Sequence, residues 1–239
     1  MRRFILLLAG VGIAALAGYR LVVRPWWRSW GVEPGAEAKG LPGDGVVPDP
    51  DGIETRSIHI EAPPDAVWPW LVQMGYGRAG WYSYDAIDME GKSPDRIVPE
   101  WQTLEVGALM PTHPGGGFLV KAIEPNRALV LYLDHELVRD QAAVASEATP
   151  ANIRAAGAFM EGTQPTEFAV SWAFVLEPDG AGTRLVERTR VKFGAGDDRP
   201  WTRFTLPLMG FGVFVMMRRQ LLGIKERAER TQRAELAHA

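Results

Sequence analysis

The fold class expected from the sequence is α+β: one antiparallel sheet, short helices after its first strand, and one long C-terminal helix. Three observations predict it. A strand-like stretch, Thr55 to Glu61, runs directly into a proline-started helix. A succession of short alternating segments separated by turn residues then extends from Glu105 to Phe193. Finally, Pro207 to Ala234 reads as a helix whose first half is apolar and second half charged. Strands in sequence with helices at the ends form an antiparallel sheet with its helices segregated to one side.

In chain order, Thr55 to Glu61 alternates, with Ile58 and Ile60 on one face and Ser57 and His59 on the other. Pro63-Pro64-Asp65 opens a helix, since proline is tolerated in a first turn and Asp favours the positive end of the helix dipole. That helix presents Val67, Trp68, Leu71 and Met74 at helical spacing and ends at Gly75. A second short helix is expected over Tyr82 to Met89, and a strand over Glu105 to Met110. Gly115-Gly116-Gly117 turns into the strand Phe118 to Glu124, and Pro125-Asn126 turns into Leu129 to Leu133. Asp134 to Thr166 interrupts the rhythm with Ala-rich, helix-prone stretches split by Pro150; it reads as an insertion and a candidate lid (residues 135–166).

The last two strands carry the clearest pattern. Phe168, Val170, Trp172, Phe174 and Leu176 share one face of the first. A turn over Asp179 to Gly182 pairs Leu176 with Leu185, Phe174 with Glu187 and Trp172 with Thr189. A slip of one residue would turn the row Arg184, Arg188, Arg190 and Lys192 inward, so Glu187 and Thr189 are expected on the aromatic side. A curved sheet wrapped around a long terminal helix leaves a gap, and this inner face would line it.

The N-terminal residues 1–30 follow different rules. Arg2 and Arg3 precede an apolar run from Phe4 to Gly18, continued by Leu21 to Val23. With Arg20 reaching to the interface, the run approaches the roughly 20 residues that a bilayer requires. Trp26, Trp27 and Trp30 would then form an interfacial aromatic belt. The expectation is a single-pass membrane anchor, with arginines on both flanks leaving its side open. The alternative is a signal peptide cleaved after Ala15-Leu16-Ala17, with secretion. Residues 31–52, rich in Gly and Pro and without periodicity, read as a flexible linker, which places the folded domain at residues 53–234.

Composition narrows the function classes. In 239 residues with a formal net charge of -3 there is no global basic character that would point to nucleic acid. The absence of cysteine excludes disulfides, thiolate metal sites and cysteine nucleophiles. The four histidines are isolated in sequence, no metal-site, phosphate-loop or nucleophile-elbow spacing occurs, and no metal or cofactor is expected. Gly75-x-Gly77-x-x-Gly80 matches the dinucleotide fingerprint in spacing, but a helix precedes it where a strand is needed, so these glycines read as a turn.

Trp68 to Asp85 holds three Trp and three Tyr. A cluster that aromatic builds a core seam or lines a pocket. Within and beyond it, Ala62-Pro63-Pro64-Asp65-Ala66-Val67-Trp68-Pro69-Trp70-Leu71 and Gly80-Trp81-Tyr82-Ser83-Tyr84-Asp85 resemble the SRPBCC (START-like, polyketide cyclase-like) superfamily. Pro99-Glu100-Trp101-Gln102 with Val106-Gly107, Glu124-Pro125-Asn126-Arg127-Ala128-Leu129, Gly182-Thr183-Arg184-Leu185-Val186 and Gly223 to Glu229 follow the same pattern in order. The resemblance spans about Ile53 to Glu229 apart from the insertion. It implies a helix-grip fold with a deep hydrophobic cavity between sheet and C-terminal helix, and little about activity.

The leading functional expectation is therefore a membrane-anchored domain that binds a hydrophobic small molecule of lipid, polyketide or isoprenoid type. Trp68, Trp81, Tyr82, Tyr84, Trp101, Phe118, Trp172, Phe174, Glu187, Thr189 and Phe211 are its candidate ligand contacts. An enzymatic alternative of cyclase or hydrolase type would use Glu187, or Asp85, as acid or base, because burial raises a carboxyl pKa. Against it stands a structural role for Glu187 in an ion pair with an arginine such as Arg78. A third alternative is an accessory domain that binds another protein. The sequence leaves the oligomeric state open.

Overall fold

A computed structural model describes residues 10–12, 14, 16–88, 91–144, 167–194 and 202–238. Six strands form one antiparallel sheet in the order β1-β6-β5-β4-β3-β2. They are β1 (Gly52–Ile60), β2 (Leu109–His113), β3 (Gly116–Glu124), β4 (Ala128–Asp134), β5 (Phe168–Asp179) and β6 (Gly182–Phe193). The helices are α1 (Arg24–Arg28), α2 (Pro64–Val72), α3 (Asp85–Asp88), α4 (His135–Val144) and α5 (Thr202–His238). The class expected from the sequence, an antiparallel sheet with a long C-terminal helix, is what forms, with β1 paired to β6 at the opposite edge from β2.

Register follows the hydrophobic pattern. Leu176 pairs with Leu185, Phe174 with Glu187 and Trp172 with Thr189, as the turn length dictates. The strand expected at Glu105 to Met110 instead begins at Leu109, because Gly107 takes a positive φ of 90° and the preceding residues form a turn. The expected insertion opens with α4 directly after β4; residues 145–166, the rest of the candidate lid, lie outside the described residues.

The glycines Gly75, Gly77 and Gly80 all have positive φ, and the amide of each of Gly75 and Gly80 donates to the carbonyl of the other at 2.9 and 3.0 Å. They close a tight loop after α2 and have no helix opening behind them. One buried cluster lies on the sheet face beneath α2 and α5, built from Ile60, Trp70, Leu71, Leu129, Leu131, Phe174, Leu185, Leu221 and Ile224 among others. At Gly223 a Cβ would sit 2.2 Å from the Tyr82 carbonyl, so α5 approaches the chain here more closely than any side chain would permit.

The N-terminal expectation is corrected. Among the described residues no helix is long and apolar enough to cross a membrane; residues 1–9, 13 and 15 of the expected anchor lie outside the described residues. The tryptophans expected as an interfacial belt pack on α5 instead. The Phe214 ring lies 5.4, 6.2 and 6.4 Å from the rings of Trp26, Trp27 and Trp30, and Trp27 is 2% exposed. Aromatic area that would suit a bilayer interface is equally well used by a partner ring within the chain.

Residues 31–52, expected as a flexible linker, lie along the other face of the sheet. Val47 is buried, and Leu41 and Val46 pack on Val130, Ala173, Val175 and Val186. Arg188, on that face, donates to the Glu37 and Lys39 carbonyls at 2.8 and 2.7 Å, to Asp44 at 2.9 Å and to Thr55 Oγ1 at 3.0 Å. The arginine row faces away from the aromatic core as expected, but this strap covers Arg188.

Candidate functional site

β5 and β6 place two adjacent cross-strand rows on the inner face: Trp172 beside Thr189, and Phe174 beside Glu187. β1, on the other side of β6, continues them with Glu54 opposite Thr189 and Arg56 opposite Glu187. The rows continue through Leu131 and Leu129 of β4. An aromatic seam therefore meets a charged cluster in the middle of the sheet.

The seam is built on Trp172. Its ring stacks on Trp81 at 5.0 Å, meets Phe118 edge-on at 5.4 Å and lies 4.9 Å from Phe174. Trp81 is held in place by donating its indole N–H to the Pro111 carbonyl at 3.1 Å. Trp172 donates its own to Glu187 Oε1 at 2.6 Å. Glu187 and Arg56 are both fully buried, and the nearest guanidinium nitrogen lies 4.0 Å from Glu187 Oε2. Arg56 spends its donors elsewhere: on the Trp27 carbonyl at 3.2 Å, on Met217 Sδ at 2.9 Å and on Glu54 at 2.5 Å. Its guanidinium also lies over the Phe214 ring at 5.6 Å.

Among the described residues, two buried acceptors in this cluster have no hydrogen-bond partner: Glu187 Oε2 and Thr189 Oγ1. Burial pushes the Glu187 carboxyl above the usual carboxylate range, and the nearby Glu54 adds to this. The Arg56 charge and the Trp172 hydrogen bond pull the other way, and desolvation outweighs them. As a carboxylate Glu187 offers an acceptor, protonated it would offer a hydroxyl donor, and Thr189 offers either, where the aromatic seam meets the charged pair Arg56 and Glu54.

The structure therefore brings together Trp81, Phe118, Trp172, Phe174, Glu187 and Thr189. The other expected contacts lie apart from them. Tyr82 is buried beneath Arg227, which stands 4.7 Å over its ring, and its hydroxyl accepts from Gln73 at 2.9 Å; burial raises its pKa. Trp68 is half-buried on α2, packed against the core. Tyr84 is 42% exposed, because the chain there already turns outward ahead of α3. Trp101 is half-buried in a single 3-10 turn, where its carbonyl accepts from Arg78 at 2.5 Å. Phe211 is exposed on α5, 5.9 Å from Phe214. Asp85 accepts from Ser93 Oγ at 2.6 Å at the start of α3.

Arg56 is the residue that the sequence reading passed over. Arg78, expected as a partner of Glu187, instead donates to the Val72 and Trp101 carbonyls. Yet the signal was present: Arg56 shares the alternation of Ile58 and Ile60, so the same period of two that turned those residues inward turned Arg56 inward as well. No group of three or more histidine, aspartate or glutamate side chains among the described residues is placed to hold a metal ion.

No family model matches the chain, and no curated protein matches it. Among solved structures, a crystal structure of a protein from Mesorhizobium loti is 17% identical, covering 75% of this chain and 98% of that one with a TM-score of 0.39. A solution structure of a protein from Arthrobacter aurescens is 14% identical, covering 74% and 86% with a TM-score of 0.40. The Aha1 dimer from Colwellia psychrerythraea is 16% identical, covering 74% and 96% with a TM-score of 0.33. None of these likenesses bears on what the chain binds.

Proposed function

We propose that the chain is a helix-grip protein of the SRPBCC type that binds a hydrophobic small molecule bearing one hydrogen-bonding group, a lipid, polyketide or isoprenoid. One observation carries the reading: Glu187 Oε2 and Thr189 Oγ1 are buried beside an aromatic seam, and among the described residues neither has a hydrogen-bond partner. Buried polar atoms are almost always paired, and an exception within an apolar wall is where a ligand's hydroxyl or carbonyl group gains most. Apolar burial against Trp81, Phe118 and Trp172 supplies the affinity, and the two free acceptors set the orientation. The six-stranded antiparallel sheet and long C-terminal helix support the family reading, as do the ordered motifs between Ile53 and Glu229.

The enzymatic alternative has one observation in its favour, the raised pKa of Glu187. The guanidinium of Arg56 at 4.0 Å and the indole hydrogen bond on Oε1 favour binding over proton transfer, since both hold the carboxylate form.

The test uses the purified full chain. Native mass spectrometry after gentle extraction is expected to reveal a co-purifying apolar ligand. The neutral probe Nile red is expected to bind and to quench the stacked Trp81 and Trp172 emission. Thr189→Val and Glu187→Gln each remove or alter one free acceptor and should weaken the co-purified ligand about tenfold while leaving Nile red unaffected. No bound ligand together with no probe binding would sink the proposal.

A further inference from the structure

We infer that a second site, at the outer edge of β1, binds a phosphoryl group. An open cleft of about 410 Å³ lies there between the N-terminal helical segment and the strap, lined by Arg20, Arg24 and Arg28 together with Glu37, Ile53 and Thr55. The volume falls within the roughly 300–1,000 Å³ of small-molecule sites. It is independent of the aromatic seam: Thr55 belongs to the strap-covered face, where its hydroxyl accepts from Arg188.

The three arginines are spaced four residues apart, Arg20 in a π-helical turn (Tyr19–Val23), Arg24 and Arg28 at the two ends of α1. Like charges at that spacing repel each other along a helix, so the row costs stability unless an anion joins it. Among the described residues neither Arg20 nor Arg24 forms an ion pair. Arg28 donates to the Ile53 carbonyl at 2.7 Å, which anchors the row against β1. Burial, with Arg24 and Arg56 nearby, holds Arg28 below the usual arginine value in spite of Glu54. The acid facing the cleft, Glu37, is already engaged with the Gly35 amide at 3.0 Å. Arginine forks match phosphoryl oxygens in pairs, and three forks in one cleft suit a dianion better than a single carboxylate.

Isothermal titration of the full chain at low ionic strength tests this, with inorganic pyrophosphate in one arm and monomeric short-chain phosphatidic acid in the other. Binding in the pyrophosphate arm identifies a free phosphorylated solute; binding in the lipid arm alone identifies a phosphoryl group borne on an apolar molecule. Either is expected to weaken about tenfold in Arg24→Gln and further in the double variant Arg20→Gln/Arg24→Gln, and to fade as salt is added. No binding in either arm, or unchanged affinity in the double variant, overturns the inference. Should the double variant fail to fold, Arg24→Lys decides: it keeps the charge and loses the fork, so weaker binding supports the site and equal binding refutes it.

Discussion

The two faces of the sheet each bury an arginine beside a carboxylate, and they complete the pairing to different degrees. On the strap side, Arg188 uses its donors on Asp44, two backbone carbonyls and a threonine hydroxyl, all within 3.0 Å. On the helix side, Arg56 gives its short contacts to Glu54, Met217 and the Trp27 carbonyl and leaves Glu187 at 4.0 Å. A saturated buried ion is a structural clamp. A buried carboxyl with one oxygen free has capacity left over, and that difference is the reason to look for a ligand on the helix side.

The largest effect that would sharpen the contrast is Arg188→Leu. It strands the strap carbonyls and leaves Asp44 with the Leu41 amide at 2.9 Å and Arg190 at 3.6 Å, and should cost about 3 kcal/mol in urea unfolding. A loss under about 1 kcal/mol would show that the strap contributes little and would break the comparison.

Trp172→Phe comes next. It removes the donor on Glu187 Oε1 while keeping most of the ring, so the expected cost is about 1–3 kcal/mol. Because that hydrogen bond lowers the Glu187 pKa, its loss should raise the pKa further. The test is stability against pH: the pH-dependent decline should extend to higher pH than in the parent chain.

Glu187→Gln should have the smallest effect on stability, under about 1 kcal/mol at neutral pH, because Gln still accepts from Trp172. Its sign depends on pH. The native carboxyl titrates above its unfolded value, so the folded state holds the proton more tightly, and the resulting stability is lost as pH rises through that window. The variant should therefore gain on the parent chain as pH rises above the ordinary carboxylate range. A constant difference across the titration would mean that the Glu187 carboxyl binds its proton equally in the folded and unfolded states, with Arg56 offsetting its burial, and the two faces would then be alike.

Much of this contrast was legible in advance on the β5–β6 side. The Asp179 to Gly182 turn and the alternation from Trp172 to Thr189 were enough to turn Glu187 and Thr189 toward the aromatic residues, since a shift by one residue would have turned the row Arg184, Arg188, Arg190 and Lys192 inward. Arg56 was just as accessible to the same rule, but a charged residue in an alternating strand draws attention to its charge before its position. Trp81 was identified as a cavity or core residue without its stacking partner, because rings far apart in sequence meet only through sheet pairing and the Gly75 to Gly80 loop. Tyr84 shows the opposite failure: it shares a motif with Trp81 but not a surface.

By itself, then, the sequence determined the antiparallel class, the register of the last hairpin and the long helix that follows it, because local alternation and turn length set these directly. Only the tertiary structure decided what covers each face. Periodicity marks a surface as one that must be buried, whether by a membrane, a ligand or another part of the chain. Here Phe214 meets Trp26, Trp27 and Trp30, the strap meets Arg188, and Arg56 becomes the counter-charge of Glu187. Those partners lie far apart along the chain, and apolar burial and ion pairing are satisfied by any group of suitable shape and charge. The choice among them was made by the folded geometry.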